Sequence, residues 1–262
     1  MKKILWILGI GLLALIIALA IGVDLYIGPI IKMGMQDIGP QIIQVPIQVD
    51  TVDVNLLAGN AQFKGLKVGN PKGYKTRQAI SVGTVVGSVD PFSVFSGKII
   101  VHSVKVESPE ITFEGGLNGS NLSKIMANVN AQAQNSAFAP SNNSSNTNNA
   151  VNNKPAPKIE VGDFLITNAK VHVSLTGLFG KEMTLPLPDI HLTDLGKGSN
   201  GLTPAQLTST VLEALIKDTI TVVATSAAKL GQDVQNLGKG TGVTANEALN
   251  KITSSISGLL GK

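Results

Sequence analysis

Three histidines, His102, His172 and His191, are the residues best suited to acid–base or metal chemistry, and none stands in an H-E-x-x-H or H-x-H arrangement. Each sits in a stretch of alternating apolar and polar residues, so each reads as a polar-face strand residue. Glu107, Glu110 and Glu114 look like a solvated strand face. Gly196-Lys197-Gly198 and Gly238-Lys239-Gly240 lack the strand-to-helix setting of a phosphate cradle, and no G-x-S-x-G or G-x-x-x-x-G-K-S/T occurs. The chain has no cysteine, which excludes disulfides, thiol nucleophiles and Cys-ligated zinc. The expectation is a protein that is not an enzyme and carries no cofactor or metal.

The elements that would position any site begin with residues 4–23, ILWILGIGLLALIIALAIGV, which carry no charge. As a helix this run spans about 30 Å, the thickness of a bilayer core. Lys2 and Lys3 precede it and Asp24 follows, which places the N-terminus in the cytoplasm and the bulk on the far side. A cleaved signal peptide is the competing reading, with Ala18-Leu19-Ala20 as a cleavage site; the run continues past that site through Ile21 and Val23, which favours an uncleaved anchor. The net charge of +4 is scattered, and no basic stripe with interleaved aromatics points to nucleic acid.

Residues 24–40 suggest a short helix interrupted at Pro29. From Gln41 the period becomes two, the mark of half-buried strands. An internal repeat runs through them: Phe63 to Pro71, Val101 to Pro109 and Val161 to Ala169 share apolar-x-x-apolar-x-apolar-x-x-Pro/Ala. Each copy reads as a strand ending at a tight corner, and the later two enter a second strand. The alternation puts Leu66, Val68, Val104, Val106, Ile111, Phe113, Phe164, Ile166, Val171 and Val173 on one apolar face. That face is either a core covered by helices or a concave surface open to an acyl chain, and Val and Ile line both kinds of surface. On the second reading these ten are the lipid-binding candidates.

Ser120 or Asn121 opens a short helix through Val129. Residues 131–157, rich in Asn and Ser, should form a disordered linker. Pro186 and Pro188 mark the strand that carries them as an edge. Thr203-Pro204-Ala205-Gln206 is a capping box opening a helix, and Thr244 to Glu247 opens a second. These helices read as lids over the sheet. The fold class expected is α+β: a transmembrane helix, then a curved, mostly antiparallel, repeat-built sheet forming a groove, then C-terminal amphipathic helices. The divisions are 1–23 anchor, 24–130 first part of the β domain, 131–157 linker, 158–200 second part, and 201–262 helical region.

Three segments together resemble the AsmA-type envelope proteins: Gly65-Leu66-Lys67-Val68 with Asn70-Pro71, Val104-Lys105-Val106 with Pro109 and Ile111, and Ser120-Asn121-Leu122. The resemblance covers roughly residues 1 to 200 and rests on the order of weak motifs. It implies a single-pass bacterial inner-membrane protein with its bulk in the periplasm, built as a β-groove related to bridge-like lipid transfer proteins. It implies lipid transport or outer-membrane biogenesis as the role, with phospholipid and other envelope proteins as partners. A structural or adaptor module with a closed core is the alternative.

Overall fold

The computed structural model describes residues 27–93, 96–116, 119–134, 158–175, 183–198 and 200–237. The anchor run, most of the linker and the second C-terminal helix expected from the sequence lie outside them. Among the described residues no helix is long and apolar enough to cross a membrane. The architecture is α+β, with one mixed sheet and three helices.

Helix α1 occupies 27–43 and runs on through Pro29 and Pro40 without the break expected at Pro29. Pro29 costs the helix its own N–H bond, and the contacts of Gly28 with the Val52 carbonyl and of Lys32 with the Asp50 carbonyl hold the helix on either side of it. Strands β1 (Ile47–Gln48) and β2 (Thr51–Asn55) pair with β3 (Asn60–Gly69), which pairs with β4 (Gln78–Val89). The other side of β4 takes both β5 (Lys98–Glu107) and β6 (Glu110–Gly116). After the two-residue β7 (Gly119–Ser120), helix α2 (Asn121–Gln134) crosses over to β8 (Lys158–Thr167) and β9 (Lys170–Leu175). These lie parallel to β5 and β6, while β10 (Met183–Pro186) and β11 (Ile190–Leu195) close the far edge, and helix α3 (Pro204–Leu237) follows. Residues 131–134, assigned to the linker by composition, are the last turn of α2.

Several of these segments are halves of longer strands. Thr84 faces Glu107 and Ser81 faces Glu110, so β5 and β6 run along β4 in one register with only Ser108-Pro109 between them. The β8–β9 line keeps that register against β5–β6: Val101 faces Val161 and Ile111 faces Val171. The second and third copies of the repeat therefore lie side by side, in parallel and in step. Ser108 and Asn168 match even in backbone, with φ of 50° and 54°.

The first copy does not join them. Leu66 pairs directly with Val82, and the pairs flanking Val82 on its other side set that residue against Pro109. The template had matched Leu66 to Val104. The corner of this strand falls at Gly65, φ 63°, rather than at Asn70-Pro71. A short alternating template is satisfied by any half-buried strand, and register depends on the neighbours as well.

The registers place Asp50, Gly65, Gly83, Ser108, Asn168 and Pro188 in one row across the sheet. Alternation breaks at this row in every strand line. Val49 and Val52 are buried, with Asp50 and Thr51 exposed between them; Val106 and Pro109 are buried around exposed Glu107 and Ser108; Leu187 and Ile190 are buried around exposed Pro188 and Asp189. A parity slip in one strand alone would turn its apolar residues to water. Made at the same row in all lines, it keeps one face apolar on both sides of the break.

Candidate functional site

All ten candidate residues belong to one hydrophobic cluster. Ile111 and Val171 are fully buried, Phe113 and Val173 are 2% exposed, and Ile166 and Val106 are also buried. Leu66, Val68, Val104 and Phe164 are half-buried and pack against the same cluster. The even-numbered members 104, 106, 164 and 166 and the odd-numbered 111, 113, 171 and 173 reach one face because of the parity break between them, and Leu66 and Val68 lie in register beside the odd-numbered set.

That face is covered. From α2 it receives Leu122, Ile125 and Val129, and from α3 Leu212, Leu215, Ile216, Ile220 and Val223. The end of α1 adds Ile42 and Ile43. Ser209 Oγ donates to Asn130 Oδ1 at 2.7 Å, joining α3 to α2, and Asn128 Nδ2 donates to the Ile43 carbonyl at 3.2 Å, joining α2 to α1. The capping box forms as its sequence implies: Gln206 N–H donates to Thr203 Oγ1 at 3.2 Å and Thr203 N–H to Gln206 Oε1 at 2.9 Å. Residues 204–237 form a single helix, whose apolar stripe also includes Ile220 and the fully buried Thr219, which gives its hydroxyl proton to the Leu215 carbonyl.

Two of the three segments that carried the family resemblance, those of Asn70 and Asn121, meet in one partly buried polar cluster. Asn121 is fully buried at the start of α2, where Ser120 Oγ accepts from Ser123 N–H. The Asn121 amide donates to Asn70 Oδ1 and to the Thr112 carbonyl, both at 2.7 Å, and accepts from Glu114 N–H at 2.9 Å. The Glu114 carboxylate accepts from the N–H groups of Lys75 and Thr76 and from the Thr76 hydroxyl. Burial alone would raise the Glu114 pKa. The N–H groups of Thr76 and Lys75, the Thr76 hydroxyl and the Lys75 charge outweigh it and hold the carboxyl below its ordinary value. The Tyr74 hydroxyl is shifted up by burial and then by the Glu114 charge. Asn70 Nδ2 donates to the Thr76 carbonyl and hydroxyl, so the side-chain donors of Asn70, Thr76 and Asn121 are all used, and the chemistry is that of a clasp between the 70–77 loop, β6 and α2.

The histidines stay apart, on β5, β9 and β11. His172 Nδ1 pairs with Thr184 Oγ1 at 2.9 Å, and His191 pairs with Asp163. Among the described residues no three His, Asp or Glu side chains gather to hold a metal ion.

A cleft of about 1000 Å³ lies beside residues 28–32 of α1, lined by Gly28, Pro29, Lys32, residues 50–55, 60–62 and Val86. Its lining runs from α1 across β2 and β3 to Val86 of β4, so the periodicity of no single strand marks it. No protein-family model matches the chain, and no curated protein matches it.

Proposed function

We propose that the chain is a single-pass, membrane-tethered and non-catalytic protein of the bacterial envelope, built like the AsmA-type proteins and acting through contacts of its outer surface. The observation that carries this reading is the cover over the ten apolar residues. A surface that takes up an acyl chain needs open apolar space, and here α2 and α3 already fill it. Removing each acyl CH₂ from water contributes about 0.8 kcal/mol, so a lipid entering this face must match what the helices contribute. The anchor run and its two flanking lysines support placing the N-terminus in the cytoplasm and the bulk in the periplasm.

Lipid handling is the second reading. It is favoured by the continuity of the apolar strip from Leu66 to Val173 and by its cover being a helical layer separate from the sheet. On this reading α3 leaves the sheet and an acyl chain takes its place.

One experiment separates the two. Full-length protein is reconstituted into nanodiscs containing a phospholipid with a diazirine in its acyl chain, irradiated and mapped by peptide mass spectrometry. The contact reading expects no lipid adducts on peptides carrying residues 104–113 or 164–173. Adducts there would overturn it and establish the lipid reading.

A further inference from the structure

Helix α1 lies along the outer edge of the β1–β2 line and runs antiparallel to it. Gly28 sits against the Val52 carbonyl, Lys32 Nζ donates to the Asp50 carbonyl at 2.6 Å, and Gly39 sits against the Ile47 side chain. From Gly39 to Gly28 the helix rises about 16 Å at 1.5 Å per residue. From Ile47 to Val52 the strand covers about 16 Å at 3.3 Å per residue. Helix and strand keep pace, so α1 followed from Gly39 back to Gly28 runs toward the end of the sheet where β2 turns into β3.

Two neighbouring turns stand at that end, and they carry the most exposed large apolar side chains among the described residues. Leu57, in the β2–β3 turn, and Phe92, in the β4–β5 turn, are each 83% exposed. The turns are tied together, for Val89 N–H donates to the Gly59 carbonyl at 2.7 Å. Each is also braced from within. Ala58 N–H donates to Asn55 Oδ1, and Phe92 N–H donates to Asp90 Oδ1. The buried Ser93 gives its hydroxyl proton to the Asp90 carbonyl and accepts from Ile100 N–H. With Ser93 fixed inward, its neighbour Phe92 is held outward. On the half of α1 nearest this end, Ile30 and Met33 are also exposed, at 61% each.

A single exposed apolar residue is ordinary, and two on braced, hydrogen-bonded turns at one end are a feature. The length of chain preceding α1 says what covers them. The uncharged run ends at Val23, four positions before the first described residue, and four residues reach at most about 14 Å. The tip of the β2–β3 turn lies about 15 Å beyond Val52, beside which Gly28 lies. A run that enters lipid so close to α1 brings the two turns to the same level.

We infer that Leu57 and Phe92 are a second point of membrane contact, seated in the interfacial layer of the bilayer that residues 4–23 cross, and that they hold the sheet upright with its 70–77 end away from the lipid. The occupant of this apolar end is a lipid surface. The inference rests on residues 4–23 being an uncleaved anchor.

The absence of cysteine makes the test clean. Leu57→Cys, Phe92→Cys and, at the opposite end, Lys72→Cys are each labelled with an NBD fluorophore in the full-length protein. They are reconstituted into vesicles of phosphatidylethanolamine and phosphatidylglycerol and floated on a density gradient. The expected result is co-flotation of all three, with blue-shifted emission and quenching by shallow doxyl lipids at 57 and 92 and neither effect at 72. Co-flotation with all three labels equally wet overturns the second contact and leaves the anchor standing. Failure of every variant to float overturns the anchor reading and the inference with it.

Discussion

Asn121 donates from Nδ2 to Oδ1 of Asn70, 2.7 Å away and 51 positions earlier in the chain, and the buried amide has no polar group left over. Cutting it back to Asn121→Ala orphans the Glu114 N–H and the Thr112 carbonyl, and should destabilise the fold by about 2–4 kcal/mol in urea denaturation. Asn121→Asp is the sharper test. It keeps the shape but places a carboxylate oxygen against Asn70 Oδ1 and the Thr112 carbonyl, at a fully buried position. The isosteric change should therefore be the more damaging of the two at neutral pH. Equal stability of the two variants would refute the assigned donor pattern.

Ser108 and Asn168 hold left-handed backbone in adjacent strand lines. A β-branched side chain is strained there, so Ser108→Val and Asn168→Val should each cost about 1–3 kcal/mol. Ser108→Gly relieves the strain and should leave stability unchanged or raised by a few tenths of a kcal/mol. At Gly65, φ 63°, even alanine should destabilise, because a Cβ would also strike the Asp50 carboxylate. Thermal melts of the four variants give the order directly.

The Glu114 clasp makes part of the fold acid-sensitive. Its carboxyl titrates below the ordinary value of 4.5 in the folded protein. The group therefore binds its proton more readily when unfolded. Its contribution is complete above about pH 4.5 and fades as the pH falls through the lower folded value. Amide hydrogen exchange at Lys75 and Thr76, corrected for intrinsic rates, should accelerate on acidification through that range. Glu114→Gln should remove the dependence, and its persistence in that variant would move the cause elsewhere.

The packing on the covered face sets a different scale. Ile111 is fully buried between the sheet and the helical layer, so Ile111→Ala should cost about 2–5 kcal/mol. Leu66→Ala, at a half-buried position on the same face, should cost less. If both changes are close to neutral in chemical denaturation, the face is not packed as described.

Much of this was legible beforehand. Period two gave the strands, the capping box gave the start of α3, and Pro186 and Pro188 marked the edge line. The ten apolar residues reach one face although their numbering switches from even to odd at the corner, because the Pro109 and Ala169 corners carried that switch in the repeat. What remained hidden depends on partners distant in the chain. Nothing local to Leu66 states that it lies across from Val82 and not in step with Val104. Nothing local to Val171 says whether a helix or a lipid covers it, since valine suits both. The role of Asn121 was hidden for the same reason: an asparagine before an apolar run reads as a cap, whereas its three bonds reach β6 and the 70–77 loop.

The two margins of the sheet are closed by different means. Along β1–β2, α1 walls off the strand, with Lys32 occupying the Asp50 carbonyl and Gly28 pressed on that of Val52. Along β10–β11, Pro186 and Pro188 have no N–H to offer. A neighbouring molecule that sought to continue the sheet would find a helix on one side and missing donors on the other. Strand exchange, domain swapping and fibril growth are thereby discouraged in a protein whose registers would otherwise accept another in-step strand.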